Sequence, residues 1–240
     1  MYPFLQLGPV AIPTKPFLYL LGIWWGLSVL EWFAARRGLP AARVHQTAVI
    51  AVAAGFITAR LAFVAQNWAS YAGQWLGLIW PLHEGYLPVA GWVGAAVALL
   101  FALRATQLSP AEVGDAAVPT LLSWVAIHSL ADGLAGPGRG QASNWLFAQH
   151  PIQLYEMLWV GLVAWVWWRL HARQPFAGWG LAVATAGVAF GRLLLTPLRA
   201  DLLLTAGGWS VAQMAYLAVM SAALIWLAVR SPSSPNEIPS

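Results

Sequence analysis

The sequence predicts an all-α membrane protein, a polytopic bundle of seven transmembrane helices with its N-terminus outside and its C-terminus in the cytoplasm. Three observations carry this reading. Of the 240 residues, 60% are hydrophobic and 8% charged, with a mean hydropathy of +0.67, a balance foreign to ordinary soluble domains. Apolar runs close to the roughly 20 residues that a helical span needs recur along the whole chain. Finally, the arginines gather in alternate connections, as the retention of basic residues in cytoplasmic loops requires.

The elements follow in order. An outer arm, 1–16, broken by Gly8-Pro9 and Pro13, leads into a first helix near 17–34. No basic segment precedes that apolar run, so the arm reads as retained rather than as a cleaved signal. A second helix near 46–66 is followed by an outer connection, 67–87, which carries Trp68, Tyr71, Trp75 and Trp80 without a basic residue. Amphipathic rings are comfortable among lipid headgroups, either for lipid contact or simply as an anchor. Helices near 88–103, the shortest, and 115–135 come next. After a short connection, Gly136–His150, the fifth helix runs near 152–168, with Pro151 suited to a first helical position because its missing N–H costs nothing there. The sixth, near 178–198, contains Gly187-x-x-x-Gly191, a spacing that lets another helix approach. A seventh near 209–229 and a Ser- and Pro-rich tail, 231–240, complete the chain; residues 1–230 read as one transmembrane domain and the tail as disordered in the cytoplasm.

With the N-terminus outside, the inner connections hold Arg36, Arg37, Arg43, Arg104, Arg169, Arg173 and Arg230, and the outer ones Lys15, Arg139 and Arg199. The formal charge of +4 is largely this topogenic arginine, so the basic balance points to no nucleic-acid partner. With no cysteine in the chain, disulfides, thiolate metal sites and cysteine nucleophiles are excluded, and any thiol in the chemistry belongs to a substrate. The five histidines show no metal-ligand spacing, no phosphate-cradling glycine loop is present, and no cofactor is expected. The single lysine, Lys15, lies near the outer end of the first helix, which argues against a mid-membrane Schiff base and a light-driven pump.

Direction of travel places the embedded polar residues by depth. Arg60, His128, Asp132 and Arg192 lie late in outgoing helices, Gln153 and Glu156 early in an ingoing one, and Arg199 just after an outgoing one, so all fall in the outer half. Ionisable groups at that depth pair or face a water-filled cavity. Three arginines against two carboxylates leave one positive charge in excess, which suits a phosphate-bearing ligand such as an anionic lipid. The alternative is that Arg60–Glu156 and Arg192–Asp132 are buried pairs that only join helices. Gln153 and Glu156, three residues apart, share a helix face. Glu156 lies near the positive N-terminus of its helix. Pro197 bends or ends the helix between Arg192 and Arg199. His150 stands at the helix mouth, while His45, His83 and His171 read as loop residues.

These residues resemble a known family, the prolipoprotein diacylglyceryl transferases. The likeness rests on Leu7-Gly8-Pro9-Val10-Ala11, Ala59-Arg60-Leu61, Gly91-Trp92-Val93-Gly94, Asp115 with Pro119, His150-Pro151-Ile152-Gln153-Leu154-Tyr155-Glu156, Arg192 with Arg199-Ala200-Asp201, and Ser210 with Gln213. The resemblance implies a seven-helix enzyme of the bacterial cytoplasmic membrane that moves a diacylglyceryl group from phosphatidylglycerol to the lipobox cysteine of a preprolipoprotein. A thioether forms and glycerol phosphate leaves. It implies that Arg192, supported by Arg199 and Arg60, engages the lipid phosphate, with Gln153 and Glu156 beside the headgroup.

The chain departs from the family pattern in three places. Lys15 stands for a tyrosine and Val89 for a histidine, and His128-Ser129-Leu130-Ala131-Asp132 replaces the signature Gly-Arg-x-Gly-Asn. Two outcomes are compatible with these losses. In one, the enzyme has diverged, and His128 or His150 removes the thiol proton while Arg192 works on the phosphate. In the other, the fold persists without chemistry, as a lipid-binding or assembly subunit of a membrane complex.

Overall fold

The computed structural model describes residues 2, 4–8, 10–71, 73, 85–136, 140–143, 149–200, 202–205, 208 and 210–231. The expectations placed on Trp75, Trp80, His83, Arg139 and the tail 232–240 lie outside them, as do Pro9 and Asp201 of the family likeness.

Helices dominate. Long ones run over Thr14–Arg36 (α1), Ala41–Gln66 (α2), Pro88–Ala105 (α3), Pro110–Ala135 (α4), Ile152–Leu170 (α5), Trp179–Leu195 (α6) and Val211–Arg230 (α7), with a single turn at Trp68–Tyr71. Each expected segment is occupied by a helix. Six of them are long and apolar enough to cross a bilayer, which makes this a multi-pass membrane protein. The exception is α5, whose 19 residues include Gln153, Glu156 and Arg169 and so fall short in hydropathy.

The N-terminal arm is more regular than its glycine and prolines suggest. Strands β1 (Phe4–Leu7) and β2 (Val10–Pro13) pair antiparallel around Gly8, whose φ of +63° is open to glycine. The Tyr2 amide donates to the Leu134 carbonyl at 2.8 Å, and the Thr14 hydroxyl donates to the Tyr2 carbonyl at 2.5 Å. Helix α1 begins directly at Thr14, with Pro16 in its first turn where proline is tolerated.

The chain divides into two compact units, Met1–Val29 with Gly114–Ser240, and Leu30–Val113. Within the second, α2 and α3 cross on small residues. A side chain at Gly55 would meet Ala95 and the Gly91 carbonyl, and one at Gly91 would meet Ala59 and the Gly55 carbonyl. The two Gly-x-x-x-Ala steps thus interlock, bringing the backbones close enough for dispersion to act where no hydrophobic force joins helices in lipid. Gly94 receives the Thr58 side chain in the same seam.

In the first unit, Thr120 of α4 donates to the Gly26 carbonyl of α1 at 3.0 Å, and Gly22 faces Ile127. Asp115 fixes the start of α6 from a neighbouring helix. Its two oxygens accept from the amides of Gly178 and Leu181, each at 2.8 Å, and it is 1% exposed. This replaces a local cap, since Gly178 precedes the helix with φ +90° and no side chain. The Gly187/Gly191 face of α6 seats the indole of Trp159 from α5, whose Nε1 donates to the Gly187 carbonyl at 2.8 Å.

Two local expectations are refined. Pro151 is the residue flanking α5 rather than its first helical residue, with ψ +72°. Pro197 does end α6, inside the 3-10 turn Thr196–Leu198 that leads to an extended Arg199.

Candidate functional site

The first unit gathers the embedded charges on four elements. Lys15, in the first turn of α1, places Nζ 2.5 Å from Oδ1 of Asp132 on α4. One turn earlier on α4, His128 holds Nδ1 3.8 Å from the other oxygen of Asp132. Tyr19, four residues after Lys15, stacks on the His128 ring at 5.7 Å. Asp132, only 7% exposed, is therefore a buried carboxylate flanked by a cation and an imidazole.

Glu156 forms a second node. Its Oε2 accepts from the Ser129 hydroxyl at 2.8 Å, and its Oε1 accepts from Nη1 of Arg199 at 3.2 Å. Ser129 thus uses the adjoining residue of the same α4 turn to reach α5. Gln153, on the same face of α5 as Glu156, stands against Gly133.

Arg199 is held from behind by the connection between α4 and α5. Gly140 and Arg199 form an antiparallel bridge, the Gln141 amide donates to the Leu198 carbonyl at 2.9 Å, and the His150 amide donates to the Gln141 carbonyl at 3.0 Å. A side chain at Gly140 would overlap the His150 carbonyl. His150 itself brings its ring to 6.3 Å from Tyr155.

Arg192 is different. Its Nη1 donates to the Tyr216 hydroxyl at 3.3 Å and its guanidinium lies 5.8 Å from that ring. Its Nε is buried without a partner, and among the described residues it has no carboxylate. It nonetheless shares a field with the rest, because Asp132, Arg192, Lys15 and Glu156 all act electrostatically on His128. Among the described residues, the two carboxylates take Lys15 and Arg199, and Arg192 is left without one. The separate helix-joining pair imagined for Arg192 and Asp132 does not form.

The match with a family model for prolipoprotein diacylglyceryl transferase spans residues 3–229. The chain belongs to that family.

Its relatives include a protein of Synechocystis sp. named phosphatidylglycerol–prolipoprotein diacylglyceryl transferase, 26% identical over 96% of this chain and 90% of that protein. Proteins of the same name from Staphylococcus aureus strains Newman and USA300 are 24% identical over 87% of this chain and 81% of theirs. Within the transferase family frame, the first unit brings together His128, Gln153, Glu156, Arg192 and Arg199, with His150 attached through the connection between α4 and α5. Arg60 belongs to the second unit, where it is 6% exposed, donates to the Gly85 carbonyl at 2.9 Å and lies 5.3 and 5.8 Å from the rings of Tyr71 and Tyr86.

The sequence marks Lys15 and Ser129 only as departures from the family pattern; it does not show that Lys15 meets Asp132 or that Ser129 donates to Glu156. Tyr216 sits among ordinary apolar residues of α7 and gave no signal at all.

Proposed function

We propose that this chain transfers a diacylglyceryl group from an anionic phospholipid, phosphatidylglycerol in the first instance, to the cysteine thiol of a preprolipoprotein lipobox. Arg192 holds the lipid phosphate and stabilises the charge that gathers on it as glycerol phosphate leaves. Arg199 supports the headgroup, with Gln153 and Glu156 beside it, and His128 or His150 takes the thiol proton. The observation that carries this reading is the half-buried Arg192, a guanidinium whose Nε has no hydrogen-bond partner and which, among the described residues, stands beside carboxylates already matched by Lys15 and Arg199. A buried cation with that surplus is stabilised by an anion.

The enzyme works in the bacterial cytoplasmic membrane, with all seven long helices crossing, the site toward the outer leaflet and the C-terminus inside. Supporting this orientation, three helices expected to end on the inner side close with an arginine over a tryptophan one turn back: Arg36 on Trp32 at 3.6 Å, Arg169 on Trp165 at 5.4 Å and Arg230 on Trp226 at 4.8 Å. Such pairs suit a headgroup boundary, where rings and snorkelling cations settle together.

The test uses purified protein in phosphatidylglycerol vesicles with a lipobox peptide, read by mass spectrometry for the diacylglyceryl increment. Product from the wild type, reduced about 10³-fold or more in Arg192→Ala, is expected from loss of a charge-stabilising group. Equal product from both proteins, or none from the wild type where a Staphylococcus aureus relative is active, overturns the reading. The latter outcome favours a lipid-binding subunit.

A further inference from the structure

Three side chains of the first unit meet away from the Glu156–Arg199 pair. Lys15 on α1 reaches Asp132 on α4 at 2.5 Å, and the second oxygen of that carboxylate faces Nδ1 of His128. Lysine, aspartate and histidine thus stand in series.

We propose that Lys15 and Asp132 are positioning residues that turn His128 into the base for the substrate thiol. This rests on the transferase reading above and decides between its two histidines. Asp132 next to Nδ1 favours the tautomer that carries its proton there, which leaves Nε2 with a free lone pair. Lys15 fixes one carboxylate oxygen and balances the buried charge, so that the other oxygen is kept on the imidazole. Tyr19 covers one face of the ring. At 3.8 Å the contact is longer than a hydrogen bond, and the role of His128 as base requires it to shorten in the complex with substrate, as catalytic hydrogen bonds commonly do. His150 has no comparable orienting group among the described residues: its backbone bonds Gln141 and its ring faces Tyr155.

In the step itself, the S–H bond breaks and its proton moves to Nε2 of His128. The sulfur lone pair forms the bond to the terminal glyceryl carbon of the lipid. The bond from that carbon to the phosphate oxygen breaks, and its electron pair leaves with the phosphate, held by Arg192. The imidazolium then returns the proton to the departing phosphate monoester, so charge and atoms balance. The charged groups facing His128 are Asp132 on its own helix, Lys15 from α1, Glu156 from α5 and Arg192 from α6.

The test measures thioether formation by the reconstituted full chain across pH 6–9.5, with phosphatidylglycerol vesicles and a lipobox peptide. Near pH 7, His128→Gln is expected to be about 10²-fold slower or worse, the usual contribution of a positioned base. Asp132→Asn and Lys15→Met should each lose about 10-fold, mainly in kcat, while Lys15→Arg keeps most of the activity. These deficits should shrink as pH passes the thiol pKa of about 8.5, since an ionised thiol no longer needs a base. Deficits that stay constant with pH, or full activity of His128→Gln, overturn the proposal. Should His128→Gln fail to fold, the Lys15→Met and Lys15→Arg pair carries the same pH comparison. A wild type that forms no thioether under any condition defeats the transferase reading instead, whatever the variants do.

Discussion

Replacing Asp115 by alanine should destabilise the protein without touching its chemistry. The carboxylate is buried and accepts two amide hydrogen bonds at 2.8 Å from the first turn of α6, whose own flanking residue, Gly178, offers no side chain. Hydrogen bonds to a charged acceptor contribute about 1.5–3 kcal/mol each, of which water entering at the helix end recovers a part. The alanine variant should therefore lose about 3 kcal/mol, and Asp115→Asn, which keeps one acceptor oxygen, roughly half of that. For a chain of this size each kcal/mol moves Tm by about 2–4 °C, so Tm should fall roughly 6–12 °C in Asp115→Ala. The assay is thermal unfolding in detergent, followed by tryptophan fluorescence. Because Arg192 lies about 20 Å along α6 from the capped end, transfer per folded molecule should be unchanged. A Tm within about 2 °C of the wild type would refute the capping role, and a large loss of transfer at unchanged Tm would place Asp115 in the chemistry.

Other perturbations separate packing from the site. Gly191→Val should displace the Trp159 indole from α6 and lower Tm, whereas Trp159→Phe, which loses only the bond to the Gly187 carbonyl, should cost about 1 kcal/mol in the same unfolding assay. Gly140→Ala should spread the strand pairing behind Arg199 and reduce transfer about tenfold or more, since small misplacements of a positioning group are costly; unchanged kinetics would show that the bridge is dispensable. Glu156→Gln removes the charged acceptor of Arg199 and Ser129 and should destabilise by about 1.5–3 kcal/mol. Adding Arg199→Met should restore much of that stability but not transfer, and recovery of both would remove Arg199 from the headgroup site.

Much of this fold is legible in one dimension because bilayer thickness imposes a repeat that hydropathy follows, and each long helix occupies an expected segment. Helix α5 shows the limit, since the residues that make it functional also dilute its apolar signal. The hairpin Phe4–Pro13 was hidden for a different reason: its strands are short and its anchors, Leu134 and Thr14, are remote in sequence or outside the motif. Depth alone groups Arg60, His128, Asp132, Gln153, Glu156, Arg192 and Arg199, of which all but Arg60 belong to the first unit. Depth did not reveal who pairs with whom, because a helix face says nothing about its neighbour. Asp132 finds a lysine more than a hundred residues upstream, and Glu156 finds an arginine beyond the end of α6 rather than within it.

The Ser129–Glu156–Arg199 chain limits what position 129 can accept. Glu156 is already shared between a hydroxyl and a guanidinium, and Ser129 is almost wholly enclosed. An arginine at Ser129 alone would drive a second guanidinium into a space sized for a hydroxymethyl group, beside Arg199. Its insertion would be opposed by both volume and charge. A larger cation is therefore expected there only together with a change at Arg199 or Glu156, so that the three positions answer to substitution as one unit.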